Sequence, residues 1–346
     1  MKVVVAMSGG VDSSVVAGLM ARAGHEVIGV TLQLYDHGAA VGRKGACCAG
    51  QDIHDAKRVA DRLGIAHYVI DSETRFQQSV ISAFADSYAG GQTPVPCIAC
   101  NQHLKFGDLL EMARELGAEA MATGHYVRRL EGPDGAEMHK AVDESRDQSW
   151  FLFATTREQL EFCRFPLGDY ASKADVRAVA AEMGLAVAEK PDSQDICFVP
   201  SGSYAGIVEK YRPDALEAGE VVAEDGRVLG AHQGIARYTI GQAKRLPDAA
   251  AHMVVKKIEP GTRRIVVGPR GVQSAEVRLR DVNWLVDPRE LRASVKLRAR
   301  DTLHPALITP EGSGAVLHLD EPALAAPGQA AVFYDGSRVL GGGFIV

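Results

Sequence analysis

The chain's opening most constrains its fold. The β-branched run Lys2–Met7 breaks into Ser-Gly-Gly-Val-Asp-Ser-Ser, and Val11, Val15, Leu19 and Met20 then recur at helical spacing. A buried-strand pattern feeding a helix through a glycine turn is the start of a βαβ unit. The alternation continues. Val27–Leu32 reads as a strand, Asp52–Leu63 as a helix, His67–Ile70 as a strand, Phe76–Tyr88 and Leu104–Leu116 as helices, and Ala120–Thr123 as a strand. Gly24 and Gly64 fit helix C′ caps. This order predicts an α/β fold, with a doubly wound parallel sheet covered on both faces. Ligands of such sheets bind at the carboxyl ends of the strands, where Met7–Ser14, Thr31–Leu34 and Thr123–Tyr126 fall.

The pattern changes near residue 200. Short mixed elements run to Gly268, and from about Val277 short strands are separated by Pro and Gly. Asp335-Gly336 between two strand-like runs predicts a hairpin. Residues 1–200 are therefore expected to form the parallel-sheet domain, 201–272 a small mixed α/β central domain, and 273–346 a C-terminal β-barrel.

With 346 residues, 46% hydrophobic, length and composition suit a large core plus smaller domains. The net charge of −6 excludes a polycation, so a nucleic-acid partner needs a local basic face. No apolar run reaches the roughly 20 residues that span a bilayer, and the N-terminal run is too short for a signal peptide. A cytoplasmic address without membrane attachment is expected. Thiols stay reduced there, so the six cysteines, at 47, 48, 97, 100, 163 and 197, are read as reactive, metal-binding or buried.

Within Ala6–Ser14 the loop amides and the helix start suit a phosphate. No Gly-Lys-Ser/Thr follows, so it is not a Walker A loop. Asp12 beside phosphates suits magnesium. The plainer reading is a capped Gly-Gly turn. Cys97 and Cys100, in Pro94-Val-Pro-Cys-Ile-Ala-Cys-Asn-Gln-His-Leu-Lys-Phe106, are compatible with zinc, an iron–sulfur cluster, a disulfide cycle or nucleophilic attack. No second Cys-x-x-Cys or suitably spaced His pair supports zinc. Cys47, Cys48 and Cys163 read as structural.

The loop SGGVDSS resembles the pyrophosphate loop of the N-type ATP pyrophosphatases. Together with "PCIACNQHLKF", "ATGHYVR", "RDQSWFL" and "PDSQDICFVPSGSY", in that order, it is similar to the tRNA-specific 2-thiouridylase family over nearly the whole chain. The resemblance implies an enzyme, a tRNA-uridine 2-sulfurtransferase. It would adenylate the C2 oxygen of the wobble uridine with ATP and magnesium, then transfer sulfur. The ATP contacts it implies are Ala6, Met7, Ser8, Gly9, Gly10, Val11, Asp12, Ser13, Leu32 and Gly124. Cys100 matches the nucleophile and Cys197 the persulfide carrier. His125, Arg146, Asp147, Gln148, Arg298, Ala299 and Gln329 match tRNA-contacting positions. The implied partners are tRNA and a sulfur donor, either a persulfide-carrying protein or free sulfide.

One departure stands out. Many family members carry Asp where this chain has Cys97, and Cys97, Cys100 and Cys197 together could ligate a 4Fe–4S cluster with one iron open. Cluster and persulfide relay remain alternatives at this point. The rival functions are another ATP pyrophosphatase acting on a small molecule, and a non-catalytic RNA-binding iron–sulfur protein. The alternation in Ser294–Arg300 further predicts Lys296, Arg298 and Arg300 on one strand face, suited to phosphate contacts.

Overall fold

The opening apolar run becomes the central strand of a five-stranded parallel sheet in a computed structural model. The model describes residues 1–35, 48–192, 196–199, 204–271 and 274–346. The strands are β1 (Lys2–Ala6), β2 (Glu26–Gln33), β3 (Ala66–Asp71), β4 (Ala120–Ala122) and, past a hairpin of β5 (Val127–Gly132) and β6 (Gly135–Lys140), β7 (Cys163–Arg164). Their order in the sheet is β3-β2-β1-β4-β7, which puts β1 in the middle. Val3, Val4 and Val5 are fully buried, as a strand covered on both faces requires.

Helix Val11–Arg22 packs on this sheet and on helix Lys173–Glu182. Val15, Val16 and Ala17 share one core with Val176, Ala180 and Met183. Gly18 lets the helices close: a Cβ there would lie 2.3 Å from the Met183 sulfur. Gly24 and Gly64 adopt positive φ, +78° and +68°, as their capping positions demand.

The chain divides into two compact units. The first holds residues 1–79, 98–194 and 337–339; the second holds 80–97, 195–336 and 340–346. In the second, β8 (Gly219–Ala223), β9 (Val228–His232), β10 (Val254–Glu259) and β11 (Arg264–Gly268) form a small sheet ordered β10-β11-β8-β9. Six more strands follow: β12 (Ser274–Trp284), β13 (Leu291–Lys296), β14 (His304–Glu311), β15 (Gly314–Ala323), β16 (Ala330–Asp335) and β17 (Arg338–Ile345). They run β12-β15-β14-β13-β16-β17, and β12 pairs with β17 to close a barrel. Val295, Ile308, Leu317 and Phe333 are fully buried inside it. Gly336, at φ +56°, makes the expected hairpin turn.

Three local expectations are corrected. Strand β13 ends at Lys296 and the chain bends and turns through 297–300, so Arg298 and Arg300 are not on a strand face. The helix expected at 104–116 begins earlier: Pro96–Ala99 passes into a π-helix, Cys100–Asp108, and then into Leu109–Glu115. A second π-helical stretch, Gln77–Ser82, interrupts the helix expected at 76–88. Hydrophobic periodicity does not separate i→i+4 from i→i+5 bonding over so few residues.

Candidate active site

The glycine loop joins β1 to helix Val11–Arg22 at the carboxyl end of the central strand. Gly9 has φ +73°, and a Cβ there would sit 2.1 Å from the Asp52 carbonyl oxygen. Only glycine fits a backbone both left-handed and this crowded. Gly10 is the helix N-cap and contributes no side chain. Ser13 and Ser14 donate their hydroxyls to the Gly10 carbonyl, and Ser13 Oγ accepts the Ser8 amide at 3.1 Å. The first-turn amides of the helix have no intrahelical acceptor, so with the positive helix end they suit an anion. Gly124 lies against this turn; its Cβ would be 3.0 Å from both Asp12 Cβ and the Ser13 nitrogen.

Lysines brace the loop from two sides. Lys190 Nζ donates to the Gly9 carbonyl at 2.9 Å, to Asp52 at 2.7 Å and to Asp55 at 2.6 Å. Lys173 Nζ meets both Asp12 carboxylate oxygens at 2.6 Å, and Tyr126 donates its phenol to Asp12 Oδ1, also at 2.6 Å. Burial and the bond to Asp12 hold the Tyr126 phenol far above its ordinary range. Lys173 also pairs with Asp192 at 3.1 Å, and Arg146 and Arg177 pair with Asp192 at 2.7 and 3.1 Å. Burial works against the Asp192 charge, but Lys173 and Arg146 outweigh it and hold its carboxyl below the usual range.

The cysteines differ in exposure. Cys100, first residue of the π-helix, is buried; Cys97 and Cys197 are exposed; Cys163 is buried on β7. Burial pushes the Cys100 thiol up, and Lys105 pulls weakly the other way. Asn101 donates Nδ2 to the Phe151 carbonyl at 3.2 Å, which fixes the amide's orientation. Its Oδ1 is buried without a hydrogen-bond partner among the described residues.

Three family models match the chain in succession: the tRNA methyl transferase HUP domain over residues 1–201, the tRNA methyl transferase PRC-barrel domain over 206–269, and the aminomethyltransferase beta-barrel domain over 274–345. The tRNA-specific 2-thiouridylase MnmA of Acidiphilium cryptum is 71% identical over 348 residues, covering 100% of both chains. That of Gluconobacter oxydans is 64% identical, covering 100% of this chain and 99% of its own. That of Paracoccus denitrificans is 58% identical, covering 99% and 91%. The chain belongs to the tRNA-specific 2-thiouridylase family.

Several residues the family pattern implies sit together in the first unit. Ala6 ends β1, Met7 and Val11 are buried beneath the loop, Ser8 is exposed, and Leu32 lies near the end of β2. Arg146 is an exposed partner of Asp192. Asp147 accepts from the Ala141 and Ser149 amides, and Gln148 accepts the Tyr126 amide, so both side chains are engaged within the fold. His125 pairs with Thr123 Oγ1 at 2.9 Å; burial, with Lys105 nearby, holds the imidazole neutral, well below its ordinary pKa. In the second unit, Gln329 donates to the Thr93 carbonyl at 2.8 Å. Arg298, exposed, reaches Asp301 at 3.6 Å, and Ala299 follows it in the turn. Cys47 lies outside the described residues, as do residues 193–195 of the PDSQDICFVPSGSY motif and its 200–203.

The implied inorganic groups fare differently. Magnesium takes few carboxylates and many phosphate oxygens, so the single Asp12 carboxylate at the loop suits it. Asp12 would hold it, and the ion would screen phosphate charge. Among the described residues no three His, Cys, Asp or Glu side chains gather into a metal site. Lys173, Lys190 and Tyr126 were missed by the sequence reading. Lys190 had a signal, since it immediately precedes the Pro191-Asp192 motif; Lys173, in an ordinary amphipathic stretch, had none.

Proposed function

We propose that the chain catalyses ATP-dependent 2-thiolation of the wobble uridine of tRNA. What carries this reading is the full-length similarity to a tRNA-specific 2-thiouridylase at 71% identity. The loop geometry supports it: Gly9, Gly10 and the first-turn amides suit the phosphates of ATP, and Gly124 lets its backbone pack closely against the turn at Asp12 and Ser13. The uridine C2 oxygen attacks the α-phosphorus, pyrophosphate leaves, and the loop amides stabilise the charge that develops. Asp12 would hold magnesium there.

Sulfur then has to arrive as an anion, the reactive form. A persulfide on Cys197, supplied by the sulfur donor, attacks C2 and expels AMP, leaving C2–S–S–Cys197. The Cys100 thiolate attacks the Cys197 sulfur, the S–S bond breaks, and its electron pair stays with the C2 sulfur. The products are 2-thiouridine and a Cys100–Cys197 disulfide, which a cellular thiol reduces. Exposure of Cys197 suits loading by a donor protein. The tRNA contacts of this reading are His125, Arg146, Asp147, Gln148, Arg298, Ala299 and Gln329, and the address is cytoplasmic. No helix among the described residues is long and apolar enough to cross a membrane.

The test has two parts. Pyrophosphate release is measured with and without tRNA, and thiolated tRNA is measured with Cys100→Ser and Cys197→Ser. Release that depends on tRNA in all three proteins, with thiolation lost in both variants, is expected. Release indifferent to tRNA would sink the reading.

A further inference from the structure

The peptide between Gly9 and Gly10 is poorly restrained by its own two residues. Neither has a side chain, and glycine adopts either sign of φ at little steric cost. A planar trans peptide points its C=O and its N–H in opposite directions. A flip of this plane would put the partial negative charge of the Gly9 carbonyl where the Gly10 amide now points. The hold on the plane comes from outside the loop: Lys190 Nζ donates to the Gly9 carbonyl at 2.9 Å. The Gly10 amide points the other way and has no backbone partner among the described residues.

The Lys190 ammonium has three protons to give, and all three have acceptors. Besides Gly9 these are Asp52 at 2.7 Å and Asp55 at 2.6 Å. Both aspartates lie on helix Cys48–Leu63, one turn apart, and the Asp52 carbonyl is the atom that crowds Gly9. Burial opposes the lysine's charge, but its bonds to Asp52 and Asp55 outweigh it and hold the pKa above its ordinary value. The backbone that carries Lys190 is fixed as well. Arg177 donates to the Ala188 carbonyl and, at 2.8 Å, to the Lys190 carbonyl, and the Lys190 amide donates to the Val187 carbonyl at 3.0 Å. All these residues belong to the first unit.

We propose that Lys190 is a positioning residue for nucleotide binding: it locks the Gly9–Gly10 peptide with the carbonyl turned away and the Gly10 amide presented to the phosphates, without touching them itself. This rests on the nucleotide reading above. A Walker A lysine reaches the phosphates directly. Lys190, with its protons committed, acts on them through one backbone amide.

The experiment is equilibrium dialysis of the full-length protein with ATP and, separately, with adenosine. Lys190→Met lowers ATP affinity by about tenfold, the size of one oriented hydrogen bond to a charged group, and leaves adenosine affinity unchanged. Lys190→Arg, which keeps the charge and the donors, regains part of the loss. Lys190→Gln, one atom shorter, shows the same phosphate-selective loss and serves in place of Lys190→Met if far-UV circular dichroism shows the latter unfolded. Lys190→Met and Gly9→Ala act on the same peptide, so in the Gly9→Ala background Lys190→Met costs about twofold or less. Unchanged ATP affinity in Lys190→Met, or equal losses for ATP and adenosine, overturns the proposal. So does a full tenfold loss in the Gly9→Ala background, which would mean direct contact with phosphate. Each of these leaves the nucleotide reading in place. Absence of ATP binding by the wild type brings down both.

Discussion

Charges near the glycine loop and charges on the barrel are built on different plans. At the loop, Asp12, Lys173, Asp192, Arg146 and Arg177 form one chain of partly buried partners, and Lys190 ties the Gly9 carbonyl to two aspartates. On the barrel, Arg292 meets Asp320 at 2.6 Å and Arg278 meets Glu311 at 2.9 Å, all side chains about half exposed. Exposed pairs of the second kind contribute little to stability, at most about 1 kcal/mol each. In the shared, partly buried kind, removing one member strands the others. The first region is thus committed to an arrangement, while the pairs of the second cost little to break.

The sharpest way to break that contrast is Asp12→Ala. It removes the carboxylate beneath the loop and leaves Lys173 with less compensation. Pyrophosphate release should fall by about 10³-fold, and urea unfolding should show a loss of about 1–3 kcal/mol. A variant within tenfold of wild-type activity would show that the loop network is no more committed than the barrel pairs. Gly9→Ala tests the backbone rather than the charge. With φ at +73° and the Asp52 carbonyl 2.1 Å from the new Cβ, the loop must shift, and ATP affinity should drop about ten- to hundredfold, since such strain costs about 1–3 kcal/mol. Unchanged affinity by isothermal calorimetry would mean the loop is not the phosphate site.

Arg298→Glu probes the other region. Its partner Asp301 is 3.6 Å away, so little stability rides on it. Affinity for tRNA should fall about tenfold at low salt, with a shallower salt dependence and unaltered ATP binding. Affinity that stays at the wild-type value across a salt series would remove Arg298 from the RNA face. The smallest effect is titrational. The folded-state pKa of His125 is depressed, so its contribution to stability is fully present above the unfolded value of about 6.5 and is lost as pH falls through the folded value. Between pH 7.5 and 5.5 the wild type should therefore lose more stability in urea than His125→Gln, by no more than about 1.4 kcal/mol per pH unit. Equal losses would mean that His125 is not held neutral.

Much of the first unit was legible in the chain itself. A β-branched run ending in two glycines admits few alternatives, because burial selects the strand and the turn selects glycine at a positive φ. The hairpin at Gly336 follows from the same turn chemistry. The β5–β6 hairpin escaped notice because half its positions carry charged or polar side chains, such as Arg128, Arg129, Glu131 and Glu137, and so lack clean alternation. The strand expected through Arg300 failed for a related reason: the alternation of basic residues continues past Lys296, but the backbone turns there, with the Asp301 amide bonded to the Arg298 carbonyl.

By itself, then, the sequence determined the parallel sheet, the place of the glycine loop at the end of its central strand and the cysteines open to proposal for sulfur chemistry. These rest on local rules: burial periodicity, the conformational freedom of glycine and the reactivity of a thiol. Only the tertiary structure decided which charges act together. Asp12 and Lys173 are 161 positions apart in the chain and 2.6 Å apart in the fold. It also decided that Cys100 is buried while Cys97 is exposed, and that the helix around Cys100 winds as a π-helix. Those outcomes depend on what packs against each side chain, and packing between segments distant in sequence leaves no periodic trace in the chain.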